Sequence, residues 1–230
     1  MEGETILGED VARFVRLMAP GRDDVLAEIE AENRDRGFPM VGPEVGGALS
    51  MLARLADARR VFEFGSGLGY SAYWFARALP EDGLVVLTEE DEAELETARS
   101  FFERGGYADR AAFEAGDAHE TFARYDGPFD VVFIDHHKAR YPEAFAAARE
   151  KLAPGGVIVA DNVMSLDGES LLGGLNAFLS GGDSDERPPD GADDPDVAGI
   201  EAYLDAARSD PGIETVALPL GSGITVSVKR

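Results

Sequence analysis

The sequence predicts an α/β fold, a mostly parallel sheet with helices on both faces. Three observations carry this. Apolar runs at 61–64, 84–88, 111–114, 129–134 and 156–160 alternate with helix-length amphipathic segments, the pattern of parallel strands joined by crossover helices. The first run, Val61-Phe-Glu-Phe64, feeds straight into glycines at 65, 67 and 69 and then into an apolar helix. Such proteins bring backbone N–H groups close to a ligand in this way. The last two strand-like runs, near 213–218 and 223–229, are joined by Pro219-Leu-Gly-Ser-Gly223. A link that short makes them antiparallel neighbours.

Before the first strand the chain reads as helical. Segments 5–18 and 22–35 have helical character; in the second, Val25, Leu26 and Ile29 form an apolar stripe among acids, and Gly37 is the terminator. Phe38-Pro-Met-Val-Gly-Pro43 is turn-rich and apolar, with Pro43 suited to the first turn of a helix over 44–57. This stretch is either a surface connection or the cover of a ligand. Between the strands, helices are expected at about 70–79, 91–104, 118–124 and 141–152. A further helix near 168–180 precedes residues 181–196, which are polar and rich in Gly, Pro and Asp. That composition reads as a mobile acidic surface insertion; a helix at 197–208 follows it. The 230 residues form a single domain, with 1–57 supplying N-terminal helices and a covering loop.

Composition excludes several classes. There are no cysteines, so disulfides and thiolate-ligated zinc are out of reach. No apolar run approaches the ~18 residues of a membrane span, and Met-Glu-Gly-Glu-Thr at the start has no apolar signal core after it. A soluble, cytoplasmic protein is expected. The 45 acidic residues against 21 basic ones give a net charge of −24, which repels nucleic acid and anionic membrane.

In an open parallel sheet, ligands bind beyond the carboxyl ends of the strands. After the first strand come the glycines, with Tyr70 where a dinucleotide fingerprint wants its third glycine. After the second comes Thr88-Glu89-Glu90-Asp91, where an acid can bind ribose hydroxyls or merely cap the next helix. Gly116-Asp117-Ala118-His119 follows the third, open to the same two readings. Together the three loops describe a nucleoside-bearing cofactor lying across the strand ends. The fourth strand delivers Asp135 and the fifth Asp161-Asn162. Adjacent parallel strands lie about 4.8 Å apart, so these groups can converge. Two carboxylates and an amide suit Mg²⁺, although strand-end aspartates also serve as helix caps. His136-His137 makes a poor zinc site, because adjacent residues point apart and no third ligand has suitable spacing. Lys138 is one of only three lysines. Beside a cation-bound hydroxyl it can take a proton if its pKa is depressed; otherwise it is a surface lysine.

With these residues assembled, the chain resembles the class I S-adenosylmethionine-dependent methyltransferases, and among them the cation-dependent O-methyltransferases that include the catechol and caffeoyl-CoA enzymes. The most selective pieces are Phe133-Ile-Asp-His-His-Lys-Ala-Arg-Tyr141 and Ala160-Asp-Asn-Val163; the likeness runs from about Met40 to the C-terminus, interrupted by 181–196. It implies a Rossmann-like, seven-stranded sheet in the order 3-2-1-4-5-7-6 with the last strand antiparallel. It also implies S-adenosyl-L-methionine as cofactor with Mg²⁺, or Mn²⁺ or Ca²⁺, held by Asp135, Asp161 and Asn162. Lys138 becomes the general base. Val41, Glu63, Gly65, Tyr70 and Ser71 surround the methionine part, Glu89 the ribose, and Ala118, His119 and His136 the adenine; Asp135 borders the cofactor as well as the metal. The acceptor is a small aromatic molecule with a vicinal diol, and the protein a homodimer. His137 departs from the tryptophan of the catechol enzymes, and bacterial members usually read Asp-Ala-Asp-Lys here, so the acceptor wall differs. The acidic 181–196 segment could serve as a lid over it.

Two other readings stand beside this one. A nicotinamide-dependent oxidoreductase is disfavoured by the missing third glycine and by the Asp-Asn pair. A non-catalytic cofactor-binding scaffold would need none of Asp135, Lys138, Asp161 and Asn162.

The acids are spread along the whole chain, which reads as adaptation to high salt. Raising KCl from about 0.1 M to about 1 M shortens the Debye length from about 10 Å to about 3 Å and relieves the self-repulsion. The thermal midpoint of the purified protein should therefore rise across that range; greatest stability at low salt would refute the halophilic reading.

Overall fold

The computed structural model describes residues 7–166, 169–170 and 194–230. Three helices, α1 (Glu9–Met18), α2 (Asp24–Arg36) and α3 (Gly42–Leu55), precede the sheet. Then β1 (Arg60–Phe64), α4 (Tyr70–Ala78), β2 (Leu84–Glu89), α5 (Glu92–Gly105), β3 (Ala111–Ala115), α6 (Ala118–Arg124), β4 (Phe129–Ile134), α7 (Tyr141–Lys151) and β5 (Leu152–Ala160) alternate. The described chain closes with α8 (Pro195–Ser209), β6 (Ile213–Leu218) and β7 (Ile224–Lys229).

The seven strands lie in the order β3-β2-β1-β4-β5-β7-β6, with β7 antiparallel to both of its neighbours. Side chains alternate between two cores, as the strand period of two requires. Val61, Leu87, Val131, Phe133 and Val159 belong to the core that includes residues of α3, α4 and α5. Phe62, Phe64, Val86, Val132, Ile134 and Ile158 belong to the one built with α6, α7 and α8.

Local chemistry sets the helix ends. Asp23, Asp91 and Asp117 each accept a hydrogen bond from a first-turn N–H of α2, α5 and α6. Gly37 and Gly106 close α2 and α5 in the left-handed region. Lys151 donates to the carbonyls of Phe122 and Tyr125 beyond the end of α6, and Lys229 to those of Arg149 and Leu152 at the end of α7.

Several boundaries differ from the sequence reading. α1 begins at Glu9 with Gly8 as its N-cap, later than the helical segment read over 5–18, of which residues 5 and 6 lie outside the described residues. β5 begins at Leu152, which pairs with Phe129 of β4 before the ladder shifts register. Pro154 ends any helical continuation there, and the apolar run from Val157 concealed the earlier start. The helix expected at 168–180 lies mostly outside the described residues, but Glu169–Ser170 pairs with Ser165–Leu166 as a two-stranded ribbon. Of the acidic segment, 181–193 is likewise outside. Its last three residues are described: Asp194 caps α8, accepting from Asp196 N–H at 2.9 Å, with Pro195 in the first turn. Gly223 falls in the turn, and β7 starts at Ile224.

Among the described residues, no helix is long and apolar enough to cross a membrane. Most of the exposed large apolar side chains among the described residues lie on the N-terminal helices, Val11, Phe14, Leu17 and Met18 on α1 and Met51 and Leu55 on α3, with Val216 and Val228 exposed on β6 and β7.

Candidate active site

Register decides what the strand ends bring together. Phe64 pairs with Ile134, and Ile134 with Ala160. The ladder extends one step further, with Asp135 N–H on the Phe64 carbonyl (2.9 Å) and Asp161 N–H on the Ile134 carbonyl (3.1 Å). Gly65, Asp135 and Asp161 thus form a row across the carboxyl end of the sheet. Gly65 has φ +81°, and a Cβ on it would come within 2.6 Å of the Asp135 carbonyl oxygen. Only glycine fits there.

A cavity of about 500 Å³ opens over this row. Of the residues singled out from the sequence, Val41, Gly65, Tyr70, Ser71, Glu89, Ala118, Asp135, His136, Lys138, Asp161 and Asn162 line it. Two do not. Glu63 is fully buried and accepts a hydrogen bond from the Ser71 hydroxyl, while His119 stands behind His136, their Nε2 atoms 2.8 Å apart. The apolar stretch after α2 does form a wall, through Phe38, Pro39, Met40 and Val41.

Glu89 braces the glycine loop from the neighbouring strand. Its Oε2 accepts from Gly67 N–H at 2.9 Å, and its Oε1 from the N–H groups of Glu90 (2.8 Å) and Asp91 (3.2 Å). Thr88, which sequence reasoning passed over, adds a second tie: its hydroxyl donates to the Glu63 carbonyl (2.7 Å) and accepts from Gly65 N–H (3.2 Å). Its place at a strand end was the available signal. Tyr70, at the third-glycine position, donates its hydroxyl to Glu30 Oε1 at 2.7 Å. The side chain that breaks the dinucleotide pattern therefore anchors α4 to α2. Asp117 both caps α6 and pairs with Arg140; the N–H of Glu120 first, and then Arg140, hold its carboxyl down at about 2.

At the other end of the cavity, Lys138 Nζ lies 2.9 Å from Asp135 Oδ1. Asp161 is 3 % exposed and its Oδ1 has no partner. Burial, and then the Asp135 charge, push its carboxyl well above the usual carboxylate range. Tyr141 donates its hydroxyl to the Asp161 carbonyl at 3.1 Å, and Asn162 takes a left-handed φ of 57°, which asparagine tolerates better than most residues. Among the described residues no group of three or more His, Cys, Asp and Glu side chains is placed to hold a metal. The donor set here is two carboxylates and an amide, with hard oxygens, an orphaned carboxylate oxygen and a lysine already drawn to the pair. That chemistry fits a divalent cation of the Mg²⁺ type. His136, stacked on Tyr141 with ring planes 10° apart, is held neutral: burial first, then His119 and Lys138, push it down to about 3.

Comparison with known proteins agrees with this architecture. A family model described as O-methyltransferase matches residues 23–171. The catechol O-methyltransferase of Niastella koreensis is 34% identical over 169 residues, covering 71% of this chain and 76% of that protein. The O-methyltransferase from Bacillus cereus, solved in complex with SAH, superposes with a TM-score of 0.79 at 29% identity over 96% of this chain and 97% of its own. An O-methyltransferase from Streptomyces achromogenes involved in tomaymycin synthesis, solved with SAM, gives 0.79 at 28% identity, over 96% of each chain. Sheet order, strand-end cleft and these likenesses define a class I, S-adenosylmethionine-dependent methyltransferase. Within that class, the chain belongs to the O-methyltransferase family.

Glu63 yields a pH prediction. Burial, and beyond it the charges of Asp135 and Glu89, raise its carboxyl from 4.5 to about 8. Between those values the folded state holds a proton that the unfolded chain releases, so stability falls as pH rises through the window. Urea midpoints measured from about pH 5 to about pH 9 should decline, and Glu63→Gln should remove a component on the order of a few kcal/mol. Parallel slopes in the two proteins would refute this.

Proposed function

We propose that the protein methylates one oxygen of a catechol-like vicinal diol on a small aromatic molecule, using S-adenosyl-L-methionine and a divalent cation. The observation that carries this reading is the convergence of Asp135 and the orphaned Asp161 carboxylate beside Lys138, in the same cavity as the glycine loop. Asp135, Asp161 and Asn162 would hold Mg²⁺, or Mn²⁺ or Ca²⁺. When bound, the cofactor supplies a methyl group already activated on sulfur, and the cation a charge that acidifies a neighbouring hydroxyl.

The chain's own residues do the rest. Lys138, paired with Asp135 at 2.9 Å, would be freed from that pair when a cation holds the carboxylate, and its neutral amine would take the proton of the reacting hydroxyl. Ser71, with Val41, Gly65 and Tyr70, forms the methionine end, and Glu63, buried behind it, holds the Ser71 hydroxyl. Glu89 receives the ribose hydroxyls. Ala118 and His136, with His119 behind, flank the adenine, and the neutral imidazole gives it an uncharged face. Fixing donor and acceptor in line is the main contribution to rate.

Labelled methyl transfer from S-adenosylmethionine to a panel of catechols, caffeate and caffeoyl-CoA, run in high KCl with Mg²⁺ or with chelator, tests the reading. Activity should vanish with chelator. Lys138→Ala should cut kcat by about 10²-fold or more with the cofactor Kd nearly unchanged, and Glu89→Ala should chiefly weaken cofactor binding. Equal losses of both in each variant would overturn the residue roles, and activity surviving chelation would remove the metal.

The homodimer implied by the family resemblance gains support from α1. Its apolar residues Phe14, Leu17 and Met18 are 63%, 74% and 71% exposed, and Met51 and Leu55 of α3 are exposed too. Exposed large apolar side chains in such number on neighbouring helices suit an interface. Sedimentation should give a dimer for the native chain and a monomer for Leu17→Glu; an unchanged mass would place the interface elsewhere.

A further inference from the structure

The turn that carries Lys138 is short and contributes little to its own rigidity. Residues Lys138–Arg140 form one 3-10 turn between β4 and α7, closed by Arg140 N–H on the His137 carbonyl at 3.0 Å, and no side chain caps it. Its exposed middle N–H, that of Ala139, is taken by Asp196 Oδ1 at 2.9 Å. Three residues further along α8, Gly199 is buried. A Cβ at that position would fall 2.3 Å from the Lys138 carbonyl oxygen and 2.5 Å from Ala139 Cα. The first turns of α8 therefore rest directly on the backbone of the lysine turn.

The helix that makes this contact is itself well held. Asp194 caps it through Asp196 N–H. Ile200, Tyr203 and Ala207 are buried in the lower core, and the Tyr203 hydroxyl bonds Thr225 of β7. Tyr203 also meets Tyr141 edge-on, with ring centroids 5.8 Å apart. A continuous path of packed groups thus runs from β7 through Tyr203 and α8 to the peptide that bears Lys138. Asp196 lines the cavity along with Lys138.

We propose that Asp196 and Gly199 are positioning residues for Lys138, the aspartate by anchoring the Ala139 N–H and the glycine by letting α8 close onto the turn. The assignment rests on the reading of Lys138 as the base. Neither residue needs to touch donor or acceptor. What Asp196 supplies is an acceptor oxygen at a fixed place, so its negative charge is dispensable and an amide oxygen can substitute.

The test uses the full chain with cofactor, cation and the best catechol acceptor, with turnover expressed per S-adenosylhomocysteine-binding site so that loss of folded protein does not register. Asp196→Ala and Gly199→Ala should each lower kcat about tenfold or more, as misplacement of a reacting group by a fraction of an ångström does. The S-adenosylhomocysteine Kd should stay within about twofold, since the glycine loop is braced by Thr88 and Glu89 and the bonds of Asp196 go to Ala139 and Asp194. Asp196→Asn, which keeps an oxygen for the Ala139 N–H, should recover most of the turnover lost in Asp196→Ala. Native turnover per site in Asp196→Ala would overturn the proposal. So would a parallel loss of S-adenosylhomocysteine affinity, or failure of Asp196→Asn to recover. Lys138→Ala serves as the reference. Full turnover there would sink the base assignment and this proposal together, whereas an inactive Lys138→Ala beside a fully active Asp196→Ala would sink only the positioning.

Discussion

The structure depends on the in-register alignment of β1, β4 and β5. Three hydrophobic strands, buried on both faces, are locked so that their last paired residues stand side by side. The residues one step beyond the paired apolar side chains are then forced into a row. Two of them are aspartates, and like charges at that separation repel. The fold tolerates the conflict because backbone bonds on both sides fix Asp135 and Asp161, and because Lys138 compensates part of the charge. The two carboxyl groups are therefore held in place by the backbone around them.

The glycine-loop end of the cleft follows a related logic, with glycine and carboxylate reversing their usual parts. The glycine loop does not hold itself; Glu89 and Thr88, both at the end of β2, grip its N–H groups. Tyr70 completes the arrangement by reaching back to Glu30 of α2. The N-terminal helices are consequently coupled to the cleft and are more than a decoration on its edge. Phe38 and Met40, on the stretch between α2 and α3, complete the wall on that side.

Surface chemistry and interior chemistry pull in opposite directions. Three lysines remain in a chain of net charge −24, and all three have definite tasks: two satisfy helix-end carbonyls and one faces the cavity. Acids dominate most of the exterior, yet α1 turns its apolar stripe outward while Ala12 is its one buried residue. That combination is economical only if the stripe is covered.

Sequence alone determined a great deal here. Continuous apolar runs separated by amphipathic helices permit essentially one class of sheet, and the glycines after Phe64 mark the carboxyl end of its first strand. That Asp135, Lys138, Asp161 and Asn162 would stand together at one end of the sheet was legible because strand ends are a local signal that survives in one dimension. Thr88 as a brace, Glu63 as a buried carboxyl behind the wall, and His119 as a partner of His136 were not legible, because each role depends on which side chain another strand presents opposite it. The true start of β5 at Leu152 was hidden for the same reason: its pairing with Phe129 is invisible along the chain. Most instructive is Asp194-Pro-Asp196. By composition it belongs with the acidic segment before it; by contact it caps α8 and anchors the turn of Lys138. Composition reports solvation, whereas packing against a distant turn is a long-range fact, and only the tertiary structure decided it.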